Sequence, residues 1–392
     1  MKTPKYLLPA LAVAALLAPS YGAAEKLERP KVEVCFVLDT TGSMGGLIQG
    51  AKDKIWSIAN EMVSTKPAPE IRFGLIGYRD KGDAYITKVY DLSEDIDAIY
   101  GHLMEFKAQG GGDGPESVNQ ALHESVTKMS WNKSKDVLKI VFLVGDAPPH
   151  MDYQDDMKYP EICQLAMKQD LIINTIQCGN MNGTREVWEE IAGKGEGEYA
   201  AILQSGGTVA IRSPYDAEIS EINRKLNATV VGYGDRRALA AARSKVAAAS
   251  SAKEEAAADR ADYLIKAAPS ADPFADISGG GGGAVKVISG DEDLIALIAE
   301  KKVTLEELEE EKLPDNLKSM TQEERTAHVE KLQKERQELQ QQMAELVKQR
   351  GEFLSEEKKR LAAAGKSDGF DLKVKKMIRE QAEAKGIKYG TE

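Results

Sequence analysis

The sequence has no basic excess. Its 52 Lys and Arg against 63 Asp and Glu leave a net charge of −11. That argues against the cationic surface which nucleic-acid phosphates require and fits a chain that holds cations or relies on charge for solubility. Cysteine is scarce, at three residues, and histidine at four. No zinc-type His/Cys cluster, Walker loop or nucleophilic serine elbow is visible. Beyond the first two dozen residues no long apolar run exists, so nothing in the remainder reads as a membrane span. At 392 residues with 42% hydrophobic and 29% charged content, the chain is long enough for two or three domains with at least one sizeable core.

What is present begins with a leader-like segment. Lys2 and Lys5 precede the apolar stretch Leu7–Leu17, and small residues follow, with cleavage expected after Gly22 or Ala24. The apolar stretch is too short to span a bilayer of roughly 30 Å, and no cysteine for a lipid anchor follows it closely. Residues 1–24 therefore read as a signal peptide, and the protein as exported, periplasmic or secreted. In such a compartment disulfides are permitted. Cys35 reads as a small core residue of a strand. For Cys163 and Cys178 two outcomes stay open, a disulfide across a strand–helix–strand unit or two buried free thiols.

Apolar strands alternate with amphipathic helices from residue 32. Strands are expected at Val32–Leu38, Ile71–Tyr78, Thr87–Tyr90, Leu138–Val144, Leu171–Gln177 and Glu198–Leu203. Helix spacing occurs at Leu47, Ala51, Ile55, Ile58 and Met62, in segments opened by Ser93 and by Pro115, and around Tyr159–Lys168, Arg185–Ile191 and Glu218–Leu226. This predicts an α/β fold, a doubly wound and mostly parallel sheet that binds ligands at the C-terminal ends of its strands. An Ala-rich exposed helix is expected over 238–260, then a linker over Pro269–Gly283 ending in five glycines. The rest reads as helical. Val329, Leu332, Leu339, Met343, Leu346 and Phe353 form a stripe interrupted by Arg336 and Arg350. Such a stripe suits either a coiled coil that self-associates or a long helix folded back on its neighbours. The expected divisions are residues 1–24, 30–228, 229–284 and 285–392.

Chemistry concentrates at three strand-end loops. The first strand ends in Asp39-Thr40-Thr41-Gly42-Ser43, whose carboxylate and hydroxyls can converge on a hard cation such as Mg²⁺ or Mn²⁺. A cap for the following helix is the plainer explanation of that pentapeptide taken alone. The strand Leu138–Val144 ends beside Asp146. Between them lies Gly110-Gly111-Gly112-Asp113-Gly114-Pro115-Glu116, a glycine-rich loop with two more carboxylates. In this order the loops resemble the von Willebrand factor A (vWA) family over roughly residues 31–228. Asp39-x-Thr41-x-Ser43 matches its metal-ion-dependent adhesion motif, with Thr41 in place of the commoner serine. The resemblance implies direct ligation by Thr41 and Ser43, ligation by Asp39 and Asp146 directly or through water, and an open position for a partner's carboxylate. Asp113-x-Pro115-Glu116 is similar to integrin β I-like domains and hemicentin. That likeness implies Glu116 as a shared ligand and a neighbouring Ca²⁺ held by Asp113, the Pro115 carbonyl and Asp80. The chain departs from this pattern at Gly111, where an asparagine ligand is expected, and at Gly46 and Leu47, which replace the acidic pair of a third site.

Together these readings describe a non-enzymatic, metal-dependent protein-binding protein whose unknown partner presents a carboxylate. The first alternative is a helical scaffold carrying a vestigial metal site. The second follows from the likeness of Asp-x-Thr-Gly-Ser to aspartyl-phosphate phosphohydrolases. It lacks their hairpin insertion after Ser43 and a basic residue on a matching strand end. His102, His123 and His150 read as boundary or loop residues, and Trp56, Trp131 and Trp188 as packing residues.

Overall fold

The computed structural model describes residues 29–65, 67–112, 114–204, 211–268, 285–363 and 370–388. The leader expected at residues 1–24, the linker Pro269–Gly283 and Asp113 lie outside them.

Strands β1 (Lys31–Asp39), β2 (Glu70–Tyr78), β3 (Thr87–Ser93), β4 (Leu138–Gly145), β5 (Leu171–Cys178) and β6 (Glu196–Ile202) form one sheet in the order β3-β2-β1-β4-β5-β6. All neighbours are parallel except β2 and β3. Every residue of β4 is buried, as is all of β1 after Lys31. That two-sided burial is why both strands read as nearly unbroken apolar runs. Side chains alternate between faces. Val34, Phe36 and Leu38 join Ile140, Phe142 and Val144 on one face, where Phe36 and Phe142 stack at 5.4 Å. Cys35, Val37, Val141 and Leu143 face the other way.

The first face is covered by α1 (Gly45–Met62) and α2 (Ile96–Glu105), the second by α3 (Val118–Thr127), α4 (Tyr159–Met167) and α5 (Thr184–Lys194). Helix α1 buries the periodic Leu47, Ala51, Ile55, Ile58 and Met62. Asp95 caps α2 through the Ala98 amide, while Ser93, expected to open that helix, ends β3 instead. The two cysteines of the open disulfide question lie on opposite faces, Cys163 with α4 and Cys178 beneath α1. The sheet separates them, and all three thiols are free and buried.

Among the described residues the remaining α-helices are α6 (Asp216–Ala228), α7 (Arg236–Ser251), α8 (Glu254–Ala267), α9 (Leu294–Ala299), α10 (Asp315–Lys318), α11 (Gln322–Ala363) and α12 (Phe370–Ala384). The Ala-rich stretch expected as one exposed helix is two helices, and α8 is wedged between α1 and α6, burying Ala256, Ala257, Ala258 and Arg260. Ala suits that place because it lets helix axes approach closely. The α11 stripe is covered within the chain, where Leu339, Met343 and Val347 pack on Ile219, Ile222, Ala261 and Ile265. The two seam arginines are buried, Arg336 against Asp293 and Arg350 against Asp216 and Asp259. Helix α12 returns to the first face of the sheet. Val374, Met377, Ile378 and Ala382 enter the core there, and Gln381 exchanges hydrogen bonds of 3.0 and 2.7 Å with Asn174 of β5. No described helix is long and apolar enough to cross a membrane.

Candidate metal centre

The chain runs outward from β1 to β2 and β3, then returns to β4 on the opposite side of β1. The C-terminal ends of β1 and β4 therefore form a switch-point crevice, and these ends carry Asp39 and, one residue past β4, Asp146. Asp39 is fully buried. Its Oδ1 accepts hydrogen bonds from the Thr41 amide at 2.8 Å and the Thr41 hydroxyl at 2.6 Å. The Thr41 and Ser43 hydroxyls stand 3.4 Å apart. Thr41 occupies the cap position of the turn Gly42–Met44, which precedes α1, yet makes no side-chain cap bond. Its hydroxyl is committed to Asp39, which removes the plain helix-cap explanation of this motif.

The glycine-rich loop is stitched to both neighbours. The Gly42 amide donates to the Gly110 carbonyl at 3.1 Å, and the Gln109 amide to Thr40 at 3.1 Å. On the other side the Glu116 amide donates to Pro148 at 3.0 Å, and the His150 amide to Glu116 at 3.1 Å. Glu116 is thereby fixed at the mouth of α3. Gly145 makes a close approach, since a Cβ there would collide with the Tyr78 hydroxyl and lie 3.1 Å from the Asp39 Cβ.

Three buried oxygens in this crevice have no hydrogen-bond partner, namely Asp39 Oδ2, Glu116 Oε2 and the Tyr78 hydroxyl. Orphaned buried carboxylate oxygens are costly, and the titration behaviour reflects that cost. Burial, reinforced by the Asp146 charge, pushes Asp39 up to about 7 against the opposing Thr41 bonds and the nearby Asp146 amide. Burial and the crowd of Asp39, Asp80, Asp83 and Asp146 push Glu116 up to about 9. A cation would reverse both effects. Among the described residues no three Asp, Glu, His or Cys side chains close on one point. The donor set mixes carboxylate with hydroxyl oxygens, and those hard ligands fit Mg²⁺ or Mn²⁺.

The other expected residues are placed differently. Asp80 accepts from the Ser117 hydroxyl at 2.9 Å and the Tyr153 hydroxyl at 2.8 Å, so neither of its oxygens is orphaned. Pro115 sits half-buried in the Glu116 loop. His150 stacks on Tyr153 and its Nδ1 lies 2.8 Å from Asp152, a loop-packing role. Two neighbours of the centre were not singled out from sequence. Tyr78 reads as an ordinary strand aromatic. Gln204 lies just past β6, and only the strand order places it here. Its Nε2 donates to Asp146 Oδ2 at 2.6 Å and to the Ser43 carbonyl at 3.2 Å.

A sequence model of the von Willebrand factor A domain matches residues 33–213. Those residues form a vWA domain. Such a domain typically serves protein interaction or adhesion and is generally not an enzyme. Von Willebrand factor A domain-containing protein 7 of Rattus norvegicus is 37% identical over 120 residues, 31% of this chain and 12% of that protein. Alpha-protein kinase vwkA of Dictyostelium discoideum is 27% identical over 154 residues, 38% of this chain and 24% of its own length. The chain thus spans a small part of these relatives. Among solved structures, the SpRpn10 VWA domain aligns with 13% identity and a TM-score of 0.34, over 45% of this chain and 89% of that one. Proximal thread matrix protein 1 from the mussel byssus, solved with a zinc-occupied MIDAS motif, aligns with 17% identity and a TM-score of 0.33, over 44% and 42%.

Proposed function

We propose that this protein is an exported, metal-dependent binding protein whose vWA domain captures an acidic group of a protein partner. One observation carries the reading. Asp39 Oδ2 and Glu116 Oε2 are buried without partners in the crevice where a doubly wound sheet binds its ligands, and Gly111 lies against both the Glu116 carboxylate and Thr41. Asp39, Thr41, Ser43, Glu116 and Asp146 would hold Mg²⁺ or Mn²⁺. A bound ion supplies a coordination position open to a partner's carboxylate, because Mg²⁺ rarely takes all its ligands from protein. Export follows from the leader-like residues 1–24. The alternative of self-association through α11 loses its main support, because Leu339, Met343 and Leu346 of its stripe pack in the cluster with α6 and α8, and Val329 and Leu332 in a second cluster with α9.

The test is the unfolding midpoint of residues 25–392 with excess Mg²⁺ and with chelator, for the wild type and Ser43→Ala. A cation at a hundred times its dissociation constant stabilises by about 2.7 kcal/mol. The wild type should gain that increment and Ser43→Ala should lose most of it. No gain in the wild type would defeat the proposal.

A further inference from the structure

Of the carboxylates at the centre, Asp39 is answered locally by Thr41, whereas Asp146 is answered by a side chain from beyond β6. Both Nε2–H groups of Gln204 are used at the centre, one on Asp146 Oδ2 at 2.6 Å and one on the Ser43 carbonyl at 3.2 Å. The amide nitrogen also lies 3.9 Å from Met44 Sδ. At the other end of the carboxamide, Oε1 fills the space that a Cβ on Gly179 would need. Gly179 itself holds the end of β6, its amide donating to the Ile202 carbonyl at 3.0 Å. The carboxamide therefore bridges the ends of β1, β4, β5 and β6. Its NH₂ group carries the positive end of the amide dipole and rests on an oxygen of the metal set.

We propose that Gln204 is an internal occupant of the metal centre, taking the Asp146 oxygen that a cation would otherwise claim and linking the state of the centre to the end of β6. The proposal rests on the metal-centre reading and adds a built-in competitor to it. With the centre empty, the carboxamide satisfies Asp146 and ties β6 to the turn before α1. When the centre is loaded, Asp146 faces the ion and the amide must turn away. Gln204 is otherwise exposed, as is its neighbour Leu203 at 71%. Displacing it costs no buried apolar surface, and the hydrogen bonds it gives up set the penalty. Cation affinity is reduced by the fraction of molecules in which the amide is seated.

The experiment is calorimetric titration with Mn²⁺ alone on residues 25–392, comparing the wild type with Gln204→Ala and Gln204→Glu, alongside unfolding midpoints in chelator and in saturating Mn²⁺. Gln204→Ala should bind Mn²⁺ about tenfold more tightly, equivalent to about 1.4 kcal/mol, and Gln204→Glu more tightly still. In chelator both variants should unfold below the wild type, and in saturating Mn²⁺ the gap for Gln204→Ala should close. An affinity for Gln204→Ala within twofold of the wild type, or a chelator midpoint equal to it, overturns the proposal. Weaker binding also overturns it, since the side chain would then be acting as a ligand. Absence of Mn²⁺ binding in all three proteins would defeat the metal-centre reading and this proposal with it. Tight wild-type binding with an unresponsive Gln204→Ala would defeat only the proposal.

Discussion

Asp97 and Arg260 are the sharpest place to perturb the union of the vWA domain with the helices that follow it. Asp97 lies in the first turn of α2, and Arg260 lies on α8, 163 residues later. Each is 1% exposed. Arg260 Nε and Nη2 engage the carboxylate at 2.7 and 2.8 Å, and Nη2 and Nη1 also reach the Val287 carbonyl and Asn223. The second Asp97 oxygen takes the Ser289 amide at 2.8 Å. Asp97→Asn leaves the guanidinium buried with its charge uncompensated, a change that costs about 3–5 kcal/mol. The double variant Asp97→Asn/Arg260→Met removes the stranded charge and keeps an acceptor for Ser289, so it should recover most of that loss. Urea unfolding followed by tryptophan fluorescence suits the measurement, because Trp56 lies under the guanidinium at 5.6 Å. A cost below about 1 kcal/mol for Asp97→Asn, or a double variant no more stable than the single, would refute the reasoning.

Other outcomes follow from the same geometry. Gly145→Ala should abolish metal-induced stabilisation, because its Cβ displaces Tyr78 and Asp39; an unchanged midpoint shift in Mg²⁺ would contradict this. Asp39 and Glu116 are raised to about 7 and about 9, so between the ordinary carboxylate range and about pH 9 the native state binds more protons than the unfolded chain. Stability in chelator should therefore fall as pH rises through that window, and saturating Mg²⁺ should flatten the slope, as thermal melts across the range would reveal. Gln381→Ala strands the buried Asn174 amide and should cost about 1–3 kcal/mol by denaturant unfolding. Cys35, Cys163 and Cys178 should each react with a thiol reagent only as fast as the protein unfolds.

The sheet was legible because burial on both faces leaves a mark that composition cannot hide. The expected ends of the strands containing Val37, Leu143 and Ile173 fall within one residue of β1, β4 and β5. Asp39, Thr41 and Ser43 were legible because their meeting is local, set by one turn. Glu116 is placed by its own backbone bonds to Pro148 and His150 and by the Gly42–Gly110 bond of the same loop, which a loop reading can place but not measure. The rest depended on distant partners. Arg336 and Arg350 look like flaws in an apolar stripe until Asp293, Asp216 and Asp259 are seen facing them. Lys245 lies in an Ala-rich segment that suggests solvent, yet it is buried against Asp95 and Glu292. Gln204 carries no motif, because its role is a consequence of strand order.

The return of α12 to the sheet bears on how the chain is made. Lys375 bonds Ser57 across 318 residues, and Val374, Met377 and Ile378 close a core that begins at Val32. A ribosome delivers the vWA strands first, and the helix that covers β5 beside α1 emerges well over a hundred residues after them. Until then an apolar strip lies open, and contacts of such separation are slow to form. A chain that stops short of this helix leaves that strip uncovered, on the sheet whose β1 and β4 ends carry Asp39 and Asp146.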